Sequence, residues 1–154
     1  MAVSPSDYVR YASEHTVVLV SCVFQKQTKP VEAKDLYLSD WFLKARRFAE
    51  GVGVPWLILS AEHGLVRPDD MIAPYEKTLN TMPVQERREW ADKVFTQLTS
   101  AVPDLRHVIV LAGSRYREIL VDRLRARGVT VDVPMEGLRI GEQLSWLSQN
   151  ARHG

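Results

Sequence analysis

The fold is decided by residues 16–23, TVVLVSCV, an apolar run rich in β-branched side chains. The run does not alternate between apolar and polar residues, and such continuous runs are typical of strands that are buried on both faces. Three similar runs follow, at Val54 to Ser60, His107 to Ala112 and Val129 to Val133. The sequence therefore predicts four strands inside an α/β protein.

Helical patterns separate these runs. The first helix is predicted to be capped by Ser39 and to end at Gly51 and Gly53. The other helices are delimited by Pro83 and Pro103, by Gly113 and Gly128, and by a start near Gly141. This alternation predicts a single-domain three-layer sandwich with a mostly parallel four-stranded sheet. Residues 1–15 are assigned as a lead segment of that domain, and residues 150–154 as a frayed tail.

Composition narrows the class of protein. The 154 residues suit one domain, and 45% apolar with 25% charged residues is ordinary globular composition. A net charge of +1 gives no global attraction to nucleic acid or to an anionic membrane. The one cysteine excludes an internal disulfide, and no Cys/His spacing indicates a metal. Without a secretory-type N-terminus or an apolar span, the protein is expected to be cytoplasmic, with no membrane partner and no cofactor.

Two connections are long for a compact domain, at residues 25–38 and 61–82. Loops of this length are usually functional or disordered, and their prolines and aromatic residues favour function. In a parallel sheet, ligands bind beyond the carboxyl ends of the strands. The candidates at these ends are Ser21, Cys22 and Lys26, then Ser60, Glu62 and His63, then Gly113 and Ser114, and finally Glu136 and Gly137.

The strongest local motif is residues 60–65, SAEHGL, where an apolar strand meets an acid, an imidazole and a glycine. His63 is a candidate general acid or base, and Glu136 is a candidate for stabilising positive charge. A hydrogen-bonded turn and a helix-dipole partner are the structural alternatives for these two residues. Lys26 and the Gly113–Ser114 helix start are candidates for binding an anion.

The chain resembles the family described as domain of unknown function 6884. The resemblance is carried nearly end to end by residues 20–22 with Lys26, 33–37 with Phe42, 59–65, 74–79, 111–113 with Tyr116, and 134–138 with 140–141. Asp35, Tyr37, Tyr75 and Tyr116 lie within these stretches and join the ligand-binding candidates. More remotely, the chain resembles the YaaA peroxide-stress proteins and the base-modifying domain of archaeosine synthases, which is similar in fold to uracil-DNA glycosylases. The resemblance implies a base- or nucleotide-directed domain.

The leading hypothesis is an enzyme that acts on a nucleobase, a nucleotide or a modified nucleic acid, with His63 and Glu136 as catalytic residues. The candidate reactions are hydrolysis or transfer at an N-glycosidic bond and a reaction on a modified base. The expected partner is a small nucleotide-like ligand or nucleic acid. The first alternative is a non-catalytic nucleic-acid-binding or stress-response protein of the YaaA type. The second is a thiol-based stress protein centred on Cys22.

Substitution of Cys22 distinguishes the thiol hypothesis from the other two. A lone cysteine at the end of a buried strand is most often a small core residue. If Cys22 is such a core residue, Cys22→Ala and Cys22→Ser should keep ligand binding and turnover within about twofold of the parent, since a core side chain makes no contact with a ligand. Loss of activity in a folded Cys22→Ser variant, measured by activity assay with circular dichroism, would support the thiol hypothesis instead.

Overall fold

The structure, a computed structural model, describes residues 15–21 and 26–151. Within these ranges the strands are β1 (Thr16–Ser21), β2 (Val31–Glu32), β3 (Trp56–Ser60), β4 (Gly64–Val66), β5 (Met71–Ile72), β6 (His107–Leu111) and β7 (Thr130–Asp132). The helices are α1 (Ala33–Leu36), α2 (Asp40–Val52), α3 (Val84–Ala101), α4 (Ser114–Ala126) and α5 (Ile140–Asn150), with a 3₁₀ turn at Leu79–Thr81. The order of elements confirms a mixed α/β protein.

The main sheet has five strands in the described part of the chain, in the order β4-β3-β1-β6-β7. β3, β1, β6 and β7 are parallel, which confirms the mostly parallel sheet. The predicted count of four is wrong because β4 pairs antiparallel with β3. Gly64 adopts φ 78°, a left-handed conformation that turns the chain back directly after β3. A three-residue strand of this kind is too short to leave a periodic pattern.

The core has two halves, one on each face of the sheet. Alternate residues of β1 face opposite sides, so that Val18 and Val20 pack with α2 and α5, while Val17 and Leu19 pack with α3 and α4. The α2 cap is as predicted, since the Ser39 hydroxyl accepts a hydrogen bond from the Phe42 N–H, and Gly53 ends the helix at φ 84°. Helices therefore cover both faces, which confirms the three-layer sandwich.

Side chains protect the two edges of the main sheet. On β4, the Leu65 N–H donates to Gln97 Oε1 at 2.8 Å. On β7, Arg125 donates to the Val131 carbonyl oxygen at 3.0 Å. Occupied edge groups cannot pair with a strand of another chain, so these bonds work against edge-to-edge association.

The long connections contain structure of their own. β2 and β5 form a two-stranded antiparallel sheet that joins the 25–38 and 61–82 segments.

The C-terminal end also differs from the prediction, because Asn150 is buried and donates to the Trp146 carbonyl oxygen at 2.8 Å. Ala151 is buried as well, so the described chain is packed where a frayed tail was expected. Ile140, the first residue of α5, is 62% exposed although it is apolar.

Gly64 and Gly128 provide a matched pair for testing the turn after β3. Both have positive φ, but a Cβ at Gly128 would meet open space, whereas one at Gly64 would overlap Gln97 Oε1. We expect Gly128→Ala to cost about 1–2 kcal/mol of unfolding free energy. Gly64→Ala should cost about 1 kcal/mol more, since Gln97 must move and the Leu65 N–H loses its acceptor.

Urea denaturation measures both costs. In a Gln97→Ala background, the cost of Gly64→Ala should fall to that of Gly128→Ala. Equal costs for the two alanine variants in the parent background would contradict this account of the sheet edge.

Candidate functional site

The strand order creates a switch point at the carboxyl edge of the sheet. The chain adds β3 on one side of β1 and then places β6 and β7 on the other side. α2, between β1 and β3, and α4, between β6 and β7, pack on opposite faces of the sheet, and at such a point ligands commonly bind beyond the carboxyl ends of the strands. The candidate site lies at this edge.

Tyr75 lies across that edge. It is half-buried and packs against both halves of the core, which are on opposite faces of the sheet. Its hydroxyl group is 2.6 Å from the hydroxyl group of Tyr37, a side chain that is only 1% exposed. The Tyr37 hydroxyl thus anchors the ring of Tyr75 from within the core.

Lys26 and His63 complete what we name the ring cluster, which consists of Lys26, Tyr37, His63 and Tyr75. The Lys26 Nζ atom lies 4.5 Å from the ring centroid of Tyr75 and 6.0 Å from that of Tyr37. The His63 ring meets the Tyr75 ring edge to face, with 5.8 Å between centroids. His63 is exposed, and its backbone N–H donates to Ser60 Oγ at 3.0 Å, which fixes the turn that carries it. The cluster combines a cation, aromatic faces and an accessible imidazole.

An open groove lies beside the ring cluster. Its volume is about 560 Å³, and its lining residues are Lys26, Gln27, Thr28, Pro74, Tyr75 and Glu76. This size falls in the range of small-molecule sites. Glu76, which the sequence analysis did not select, supplies a carboxylate to the groove.

A second cavity, here called the Arg117 cavity, lies where β6 and β7 end. It has a volume of about 210 Å³ and is lined by Trp41, Val110, Ala112, Gly113, Ser114, Arg117, Val133, Met135, Gly137, Leu138 and Gln143. The Trp41 indole N–H donates to Gln143 Oε1 at 2.9 Å, and Gln143 Nε2 donates to the Leu138 carbonyl oxygen. These bonds hold one wall of the cavity in place.

Arg117 brings positive charge to this cavity. Its side chain is 18% exposed, and its Nε–H donates to the Ala112 carbonyl oxygen at 3.2 Å. One terminal nitrogen lies 3.5 Å from Glu136 Oε2, and the Glu136 side chain is 65% exposed. Charge-assisted bonds between such groups are usually 2.7–2.9 Å long, so this ion pair is a weak one.

The structure brings some of the predicted site residues together. Lys26, Tyr37, His63 and Tyr75 form the ring cluster, while Gly113, Ser114 and Gly137 line the Arg117 cavity. His63 and Glu136 both follow strands at the carboxyl edge, as predicted. However, β1 and β6 lie between their strands, which separates the strands by about 14 Å. The two side chains therefore belong to different parts of the edge.

Other predicted residues have structural partners. The Tyr116 hydroxyl lies 3.4 Å from the Leu79 nitrogen and helps to place the 3₁₀ turn. Asp35 accepts a hydrogen bond from Arg46. Burial lowers the pKa of Arg46, but the hydrogen bonds to Asp35 and Glu50 outweigh this effect, so the pKa lies above its usual value. Ser21 and Ser60 are buried, and Glu62 is exposed in the turn after β3. Cys22 lies outside the described residues.

Four residues that line the two cavities were not predicted from the sequence: Trp41, Glu76, Arg117 and Gln143. Arg117 had a detectable signal, since it lies one helical turn after Ser114 at a helix start that was already selected. The contact between Trp41 and Gln143 spans 102 residues and had no local signal. Among the described residues, no group of three or more His, Cys, Asp or Glu side chains could hold a metal ion. No helix in those ranges is long and apolar enough to cross a membrane.

The hydroxyl pair of the ring cluster can be tested by a double-mutant cycle. Tyr75→Phe removes this partner from the buried Tyr37 hydroxyl and should cost about 1 kcal/mol of unfolding free energy. Tyr37→Phe and the double variant complete the cycle. Tyr37→Phe should cost less unfolding free energy, because Tyr75 is half-exposed and its hydroxyl group can bond to water instead. We expect a coupling energy of about 1 kcal/mol in urea denaturation, and a coupling near zero would show that the two hydroxyl groups do not stabilise each other.

Comparisons with known proteins identify relatives of this chain. The uncharacterized protein YfjM of Bacillus subtilis (strain 168) is 35% identical over 103 residues, which are 62% of this chain and 64% of that protein. The match thus spans less than two thirds of that relative's length. No solved structure shows significant similarity. Residues 17–149 match the family of unknown function DUF6884, and the chain therefore belongs to that family.

Proposed function

We propose that this protein is a nucleobase-directed enzyme, which binds a nucleoside or nucleotide at the ring cluster and acts on its N-glycosidic bond. The observation that carries the proposal is the position of Tyr75, anchored by Tyr37 across the carboxyl edge, with Lys26 and His63 against its ring. Crevices at switch points of this kind commonly bind such ligands.

The ring cluster suits the recognition of a planar base. Aromatic faces stack on nucleobases, and a base stacked on an aromatic side chain is typically worth about 1–3 kcal/mol. The Lys26 ammonium group can donate hydrogen bonds to carbonyl or ring-nitrogen acceptors of a base. Because the Tyr37 hydroxyl group holds the ring of Tyr75 in place, the binding surface is formed before the ligand binds, which reduces the entropy lost on binding.

Two further groups suit cleavage of the bond between base and sugar. Hydrolysis breaks the bond between the sugar carbon and the base nitrogen and adds water across it. The oxygen and one proton of water become the new hydroxyl group of the sugar, and the other proton is transferred, by way of the general acid, to the nitrogen of the leaving base. In the proposed reaction His63, an exposed imidazole against the ring of Tyr75, protonates the leaving base. Glu76, in the adjoining groove, is the carboxylate that we propose to stabilise positive charge developing on the sugar. We expect this reaction in the cytoplasm, given the low cysteine content.

A binding and turnover experiment tests the proposal. The protein is titrated with the common nucleosides and their 5′-monophosphates by calorimetry, and free base is assayed by chromatography. We expect His63→Ala and Lys26→Gln to weaken binding by about tenfold or more, which corresponds to about 1.4 kcal/mol. Both variants should keep the urea midpoint of the parent, since neither side chain lies in the core.

Two matched variants serve as controls. Lys29→Gln removes an exposed lysine of the same segment, and His107→Ala removes a histidine from the opposite, amino-terminal edge of the sheet. Both should bind like the parent. The proposal fails if no nucleoside or nucleotide binds, or if the His63 and Lys26 variants bind as well as the controls. Salt-dependent binding to DNA or RNA oligonucleotides, with no small-ligand binding, would favour the non-catalytic nucleic-acid-binding protein instead.

A further inference from the structure

We propose that the Arg117 cavity binds the phosphate group of the ligand, and that Glu136 forms an ion pair with Arg117 until that phosphate binds. The inference rests on the proposed function, because it names the part of a nucleotide that lies beyond the base. It assigns a role to a cavity that the ring cluster leaves unused.

The cavity has the position that a nucleotide requires. The ring cluster lies beyond β1 and β3, and the Arg117 cavity lies beyond β6 and β7. Since β1 and β6 are adjacent, with β3 and β7 outside them, the strands that lead to the two sites are one to three spacings of roughly 5 Å apart. A single ligand with a base at one end and a phosphate at the other can occupy both.

The size and the lining of the cavity suit a compact anion. A volume of about 210 Å³ is below that of most sites for whole drug-sized ligands. Arg117 brings a guanidinium group, whose planar fork matches the oxygen atoms of a phosphate. The Ser114 hydroxyl group on the same lining is a further donor.

The guanidinium group is held in position and only loosely paired. Its bond to the Ala112 carbonyl oxygen fixes the side chain at the wall of the cavity. Its contact with Glu136, at 3.5 Å and largely exposed to water, is weak because water screens the two charges. A phosphate, with more negative charge and three acceptor oxygens, can therefore displace the Glu136 carboxylate.

Glu136 then acts as a competitor of the ligand. It neutralises Arg117 in the empty protein, so that removal of its charge should strengthen phosphate binding. This direction is opposite to that expected if Glu136 were a catalytic residue. A single substitution thus distinguishes the two roles.

The test compares adenosine with adenosine 5′-monophosphate, uridine with uridine 5′-monophosphate, and inorganic phosphate alone, each by calorimetric titration. In the parent, the monophosphates should bind about tenfold more tightly than their nucleosides, as expected for a charge-assisted contact of about 1.4 kcal/mol. Arg117→Gln should reduce this advantage to less than about twofold. Glu136→Gln should tighten binding of the monophosphates and of inorganic phosphate by about threefold, with no change for the nucleosides.

Two controls match these substitutions. Arg115→Gln removes an exposed arginine from the same helical turn, outside the lining of the cavity. Glu118→Gln removes the carboxylate of a comparable weak pair, 3.7 Å from Arg87. Neither control should change the preference for monophosphates. Because Glu136 is exposed, its variant remains informative even if Arg117→Gln fails to fold.

The outcomes separate this inference from the proposed function. If nucleosides bind but the phosphate adds no affinity, the phosphate site is overturned while the base-directed function stands. If inorganic phosphate binds in an Arg117-dependent way and no nucleoside binds, the phosphate site stands and the base-directed function fails. If Glu136→Gln weakens phosphate binding, Glu136 is not a competitor of the ligand and that part of the inference is overturned.

Discussion

The structure depends on the complete burial of β1. All six residues of this strand are buried, and β3 and β6 pair with its two sides. A strand in this position must have its backbone groups bonded to neighbours on both sides and its side chains covered on both faces. The helices of both layers satisfy the second requirement. The first requirement places β3 and β6 on opposite sides of β1 and so creates the switch point.

Polar and charged side chains lie together at the switch point, at the carboxyl edge of a sheet whose strands are mostly apolar. The connections after β1 and β3 bring a cation, an imidazole and two phenol rings together, while those after β6 and β7 enclose an arginine. Pairing between β2 and β5 joins the two long connections, so that Tyr37 and Tyr75 can meet. The edge thus has one region suited to a planar ring and a neighbouring region suited to an anion.

Much of the scaffold could be predicted because it follows from local patterns. The continuous apolar runs indicated the parallel strands, and Ser39 and Gly53 delimit α2 as expected. Local patterns failed where a tertiary contact decides the outcome. β4 exists because Gly64 turns the chain back against β3, and Asn150 is ordered because the last turn of its helix is packed against the core.

The sequence by itself determined which chemical groups lie at the carboxyl ends of the strands, since each group directly follows an apolar run. It did not determine which of these groups meet. Strand order separates His63 from Glu136, brings Glu136 to Arg117, and joins Trp41 to Gln143 across 102 residues. Only the tertiary structure decides such pairings, because the order of strands in a sheet is set by the packing of whole layers, whereas a sequence pattern records each element alone.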